Sequence, residues 1–215
     1  MTDTPLRLYG YFRSSAAFRT RIALNLKGLA YETAPVDLLG GEQRTESFAA
    51  LNPQKLVPLL EVDGRLVNQS LAIIEYLDEV HPEPPLLPGD ALERAQIRAF
   101  ALAIACDVHP LNNLRVLQHL TGPMGRSEAE KDAWYRHWIA EGLEPLEQMM
   151  ATRPAPSPFC FGDRPTLADI CLVPQLANAR RTRCDLTPYP NLLKIEANCL
   201  ALDAFHRATP ELQPR

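Results

Sequence analysis

The chain has 215 residues, enough for one large domain or two small ones, and its 46% hydrophobic and 22% charged content fits a globular protein with a full core. A formal charge of −4 argues against a nucleic-acid partner, since phosphate recognition needs a basic face. No apolar stretch approaches the ~20 residues that cross a bilayer. No apolar segment follows a basic one at the N-terminus, the five cysteines lack CxxC or zinc-finger spacing, and the five histidines show no HExxH pattern. The expectation is a cytoplasmic protein with reduced thiols, no membrane partner and no metal.

Taken in order, residues 6–12 (LRLYGYF) alternate and predict a strand. Arg13-Ser14-Ser15 is a polar break. Ala17, Phe18, Ile22, Ala23, Leu24 and Leu26 then predict a helix that ends near Gly28. A second strand is expected at about 30–36, and a strand–helix–strand of this size implies two parallel strands with a right-handed crossover. Residues 42–51 predict a weaker helix, closed by Asn52-Pro53. Apolar runs at 56–62 and 65–67 flank Asp63-Gly64, a two-residue hairpin signal whose backbone needs positive φ. Pro58 forfeits a ladder donor and belongs at an edge or bulge. A cis bond at Val57-Pro58 would leave the amide and carbonyl of Val57 free to pair with an extended ligand. Gln69-Ser70 opens the next helix, with Leu71, Ile74, Tyr76, Leu77 and Val80 at helix spacing and Ser70 as N-cap. Ser70 and the first helical amides suit a carboxylate, although a plain hairpin and helix with an edge proline would explain the same letters. Residues 1–81 thus form a small α/β sandwich of the thioredoxin type.

Residues 82–90 hold four prolines within seven positions and predict a stiff linker. From residue 91 to 215 no strand is predicted, and the second domain is expected to be all-helical. Asp90 with Glu93, Ser127 with Glu130 and Thr166 with Asp169 are three capping-box starts. Thr166 and Asp169 are accordingly expected to be structural. Pro110, after His109, should kink its helix. Trp134 and Trp138, at i and i+4, are expected to be packing residues.

Four stretches carry a resemblance. The run Arg13-Ser14-Ser15-Ala16-Ala17-Phe18-Arg19-Thr20-Arg21-Ile22-Ala23-Leu24 resembles the zeta-class glutathione transferase signature, serine-serine-cysteine-x-x-arginine-x-arginine-isoleucine-alanine-leucine. Leu51-Asn52-Pro53-Gln54, Asp107-Val108-His109-Pro110-Leu111-Asn112-Asn113 and Asp185-Leu186-Thr187-Pro188-Tyr189-Pro190 look like the same class. Within it, the chain looks closest to the bacterial glutathione-dependent maleylpyruvate and maleylacetoacetate isomerases. One departure is Ala16, where the signature has cysteine.

The resemblance implies a homodimer that uses glutathione as cofactor and converts a maleyl dicarboxylate to its fumaryl isomer by reversible thiolate addition. It implies that Gln69 and Ser70 hold the γ-glutamyl end of glutathione, that Val57 pairs with the cysteinyl unit and that Gln54 helps at the glycyl end. A free thiol near pKa 8.5 is mostly protonated at neutral pH, and lowering it two units takes roughly 2.7 kcal/mol. Ser14 and Ser15, at the start of a helix, place a hydroxyl donor and the positive end of a dipole where a sulfur anion could sit, with Ser14 favoured. Either serine could instead be a simple helix cap. Arg13 can fork onto a carboxylate or form a surface ion pair. Arg181 matches an arginine that binds a substrate carboxylate in the isomerases, though Arg180 and Arg181 also suit a helix end. His109, beside Asn113, is either a satisfied polar group at the kink or, with Asn113, a ligand-binding residue. Two other functions fit the same letters: a general zeta-class transferase or dehalogenase, and a non-catalytic binding module on the same fold.

Overall fold

The computed structural model describes residues 6–214. In chain order the elements are β1 (Leu6–Gly10), α1 (Ser15–Leu26), β2 (Tyr31–Pro35), α2 (Glu46–Leu51), β3 (Leu59–Val62), β4 (Arg65–Asn68) and α3 (Ser70–Val80). They continue with α4 (Ala91–Leu102), α5 (Leu114–Thr121), α6 (Glu128–Ala151), α7 (Leu167–Arg181), α8 (Pro190–Leu200) and α9 (Asp203–His206). Contacts divide the chain into two units, one of the residues up to Leu86 with those from Leu200 onward, the other Leu87–Cys199.

The first unit is a thioredoxin-like layer of helices on a sheet of order β2-β1-β3-β4, with β1 and β2 parallel and the remaining pairs antiparallel. Leu8, Ile22, Leu59, Leu60, Ile73, Ile74 and Leu77 form its buried core. Asp63 and Gly64 have φ of 48° and 74°, the left-handed pair that a tight hairpin needs. β1 stops at Gly10, earlier than its alternation suggests, because α1 comes in close: a Cβ on Gly10 would lie 3.2 Å from the Cβ of Ala17. The Ser14 amide donates to Tyr11 O at 2.9 Å, and α1 starts at Ser15. The helix expected at 42–51 is divided. A 3-10 turn, Glu42–Arg44, is followed by α2, and Thr45 Oγ1 caps α2 by accepting from Phe48 N at 3.3 Å. The Val57-Pro58 bond is cis, and β3 begins only at Leu59. Glu83-Pro84 is cis as well.

Residues 200 onward belong with this unit because side chains of α1, buried Arg21 and half-buried Asn25, bind them. Asn25 Nδ2 donates to Ala204 O and Arg21 Nε to Ala208 O, both at 2.9 Å. By contacts, the second unit runs from Leu87 to Cys199. Burial lowers the Arg21 guanidinium to about 10, still charged at neutral pH. Lys27 has a side chain with 0% exposure, and its Nζ donates to Asp78 Oδ1, His81 O and Pro84 O, each at 2.6 Å.

The second unit is helical, and its three predicted capping boxes are formed. Asp90 Oδ1 accepts from Leu92 N and Glu93 N while Glu93 accepts from Asp90 N. Ser127 and Glu130 exchange the same pair of bonds. At the start of α7, Thr166 N and Oγ1 donate to Asp169 Oδ2 at 2.8 and 2.9 Å, and Cys160 N donates to Asp169 Oδ1 at 2.8 Å. α7 is buried without a break from Leu167 to Leu176. A helix enclosed on all sides has no apolar stripe, so its caps mark it better than its periodicity does.

The Pro110 kink takes another form. His109 N reaches back five residues to Ile104 O at 2.9 Å, making Ala103–Val108 a π-helical stretch, and Pro110–Asn112 is a 3-10 turn. Trp134 and Trp138 pack edge to face at 5.6 Å, and Trp134 Nε1 donates to Leu111 O at 2.8 Å. No helix among the described residues is long and apolar enough to cross a membrane.

Candidate active site

Two helix starts in the first unit carry most of the candidate residues. At α1, Ser14 is extended (φ −68°, ψ 117°) and its Oγ accepts from Ala17 N at 3.2 Å. The hydroxyl is therefore a cap, and it keeps its own proton for a second partner. No acid stands in the first turn of α1, so the positive end of its dipole is uncompensated. Ser14 is half-buried, whereas Ser15 is 4% exposed inside the helix. That separates the two serines: the Ser14 hydroxyl is the more accessible of the pair. Arg13 is exposed, its guanidinium 4.9 Å from the centre of the Phe12 ring, and it forms no ion pair among the described residues.

The start of α3 differs from its expected form. Gln69, not Ser70, is the N-cap, with φ 69° and ψ 115°, and Ser70 is the first helical residue, buried. Gln69 makes no side-chain cap, and the first turn carries no acid. The leading amides of α3 are thus left to an outside acceptor, the arrangement that binds carboxylates and phosphates at helix starts. The Gln69 side chain turns instead to Gln54, donating from Nε2 to Oε1 at 2.8 Å. This contact joins the loop before β3, which carries Gln54 and Val57, to the start of α3, which carries Gln69 and Ser70.

The remaining candidates lie in the second unit. His109 stands at the junction of the π-helical stretch and the 3-10 turn. Asn113 caps α5, its Oδ1 accepting from Arg115 N at 3.2 Å. At the end of α7 two adjacent arginines have separate partners. Both terminal guanidinium nitrogens of Arg180, Nη1 and Nη2, donate to the carboxylate of buried Glu196, and this pairing raises the Arg180 pKa. Arg181 is exposed, donates to Asn178 Oδ1 at 3.4 Å and lies beside the hydroxyl of buried Tyr135. Burial pushes the Tyr135 phenol up, and the neighbouring Arg181 pulls it partly back. Of the pair, Arg181 is the one without a carboxylate partner among the described residues. No group of three or more His, Cys, Asp or Glu among the described residues could hold a metal ion.

Comparison with known proteins agrees with this geometry. The family profile for the glutathione S-transferase N-terminal domain matches residues 4–79, and that for the C-terminal domain matches residues 128–194. A probable maleylacetoacetate isomerase of Vibrio cholerae is 53% identical over 212 residues, 97% of each chain. The holo structure of a maleylpyruvate isomerase, a bacterial zeta-class glutathione S-transferase, superimposes with a TM-score of 0.95 at 48% identity, covering 97% of this chain and 98% of the other. A maleylacetoacetate isomerase from Methylobacterium extorquens AM1, solved with malonate and glutathione bound, gives 0.94 at 41% identity over 97% and 98%. The chain belongs to the glutathione S-transferase family, in its zeta class.

Proposed function

We propose that the chain is a glutathione-dependent cis–trans isomerase of a maleyl diketo acid, maleylacetoacetate or maleylpyruvate, acting as a cytoplasmic homodimer. What carries the reading is likeness over 97% of the chain to a maleylpyruvate isomerase of Ralstonia, at 47% identity. The donor set of the first unit fits glutathione, an anionic tripeptide with two carboxylates and a thiol. The uncapped, acid-free start of α3 with Ser70 suits the γ-glutamyl carboxylate. Val57 offers its backbone to the cysteinyl unit, and Gln54 with Gln69 supplies amide groups beside it. Glutathione, when bound, supplies the thiolate that adds to and later leaves the cis double bond, and it is returned unchanged.

This chain's residues then have distinct tasks. Ser14 donates its remaining proton to the sulfur anion, with the α1 dipole acting in the same sense. Arg13 and Arg181 take the substrate carboxylates and stabilise the charge that develops on the carbonyl oxygens. Ser15, buried and helical, supports the turn rather than the chemistry. His109 and Asn113, in the second unit, are assigned to ligand binding.

The test is a mass balance. Catalytic amounts of glutathione should convert an excess of maleyl substrate. Replacing Arg13 or Arg181 by Met should lower kcat/KM by about 10- to 150-fold, the loss of one charge-assisted contact, while sparing glutathione binding and the turnover of a chlorodinitrobenzene. Stoichiometric consumption of glutathione, or equal losses on both substrates, would favour the general transferase. Sedimentation as a 24.0 kDa species at micromolar concentration would remove the dimer.

A further inference from the structure

We propose that Asn52 is a positioning residue for glutathione, holding the two backbone segments that carry its ligands in register through one buried carboxamide. Asn52 closes α2 and is 1% exposed. Its Nδ2 donates to Leu56 O at 2.8 Å. Its Oδ1 accepts from Gln54 N at 3.1 Å and from Asn68 Nδ2 at 3.4 Å. Its own carbonyl accepts from Lys55 N at 2.9 Å, and its amide donates to Phe48 O at 2.8 Å. One residue therefore binds the loop at Gln54, Lys55 and Leu56, and reaches the last residue of β4.

The partners are informative in their positions. Leu56 O is the carbonyl just before Val57, and Asn68 is the residue just before Gln69. The loop is not one the chain adopts freely, since Lys55 has φ 56° without being glycine. Such a conformation persists where neighbours over-determine it, and Asn52 supplies three of those constraints. The chemistry selects asparagine. Aspartate lacks the donor for Leu56 O, glutamine is longer by a methylene, and an apolar residue of the same shape would leave Gln54 N and Leu56 O without these partners. Asn52 touches no ligand itself. Its effect passes through Gln54, Val57 and Gln69, so the proposal rests on the glutathione reading of those residues.

The experiment uses the full-length protein and S-methylglutathione, whose blocked thiol removes any contribution from Ser14. Binding is measured by calorimetry, stability by urea denaturation, and glutathione KM and kcat by isomerisation of a maleyl substrate. N52D keeps the Oδ1 contacts and loses the donor to Leu56 O. It should bind S-methylglutathione about 10-fold more weakly and raise the glutathione KM by a similar factor, the worth of about one hydrogen bond. Its kcat at saturating glutathione should stay within about twofold, a split that general loosening of the fold would not give. N52A, losing both arms, should weaken binding by about 100-fold. Asn68→Ala, which removes only the longest contact, should cost about two- to threefold and serves if Asn52 variants fold poorly. A lower urea midpoint with unchanged S-methylglutathione affinity and unchanged KM would overturn the role of Asn52 alone. Failure of the unaltered protein to bind S-methylglutathione would overturn the glutathione reading, and this proposal with it.

Discussion

The starts of α7 and α3 solve the same problem in opposite ways. Both helices begin with several amides that no residue of their own can satisfy. At α7 the chain sets an acid beside them: Asp169, in the first turn, accepts from Thr166 N, Thr166 Oγ1 and Cys160 N and so fixes the cap residue, out of contact with solvent. At α3 it leaves them open, with a glutamine in the left-handed region at the cap and that side chain turned away to Gln54. A capped start follows local rules and makes a helix stable by itself. An open one breaks them, and such breaks collect where a ligand completes the structure.

Asp169→Ala should give the largest effect. It strands three buried donors and should cost about 3 kcal/mol or more in urea denaturation, with S-methylglutathione affinity unchanged in the folded fraction. Gln69→Asp should do the reverse. An acid at the start of α3 would supply the missing cap and repel an anion, weakening glutathione binding by about 10-fold or more at unchanged or greater stability. If Asp169→Ala impairs binding as Gln69→Asp does, the distinction between capped and open starts fails. Ser14→Ala sharpens the comparison, because α1 is capped by a residue proposed to serve a ligand as well. It should lose about 1 kcal/mol of stability and raise the pKa of bound glutathione, followed by thiolate absorbance near 240 nm (about where thiolates absorb). A raised thiol pKa leaves less thiolate at neutral pH, so activity should fall more at pH 7 than at pH 9. An unchanged thiolate titration would reduce Ser14 to a cap.

The two starts also explain what could be read from the letters. Asp90, Ser127 and Thr166 announced their helices because a capping box is a local device, written within four residues. Asp63-Gly64 was legible for the same reason, and the parallel β1–β2 pair because a short strand–helix–strand implies a right-handed crossover. Ser70 was misplaced as a cap because serine is favoured at that position, and nothing in the sequence shows that Gln69 takes a positive φ. The π-helical stretch before Pro110 was hidden, since a missing amide says that the helix must change but not how. Asn52 read only as the end of a helix; its partners at Leu56 and Asn68 are set by the hairpin's fold. Arg180 and Arg181 are alike as letters, and only Glu196, 16 positions from Arg180, tells them apart.

Lys27 has a practical consequence. The chain has four lysines, and Lys55 and Lys194 are exposed while Lys131 is half-buried. Lys27 alone has an ammonium wholly withdrawn from solvent, its three protons given to Asp78, His81 and Pro84. An amine-acylating reagent should label the other three in the native protein and reach Lys27 only when the end of α1 parts from the end of α3. A single mass-spectrometric peak at that position therefore works as a clock for opening of the first unit, read without mutation or dye.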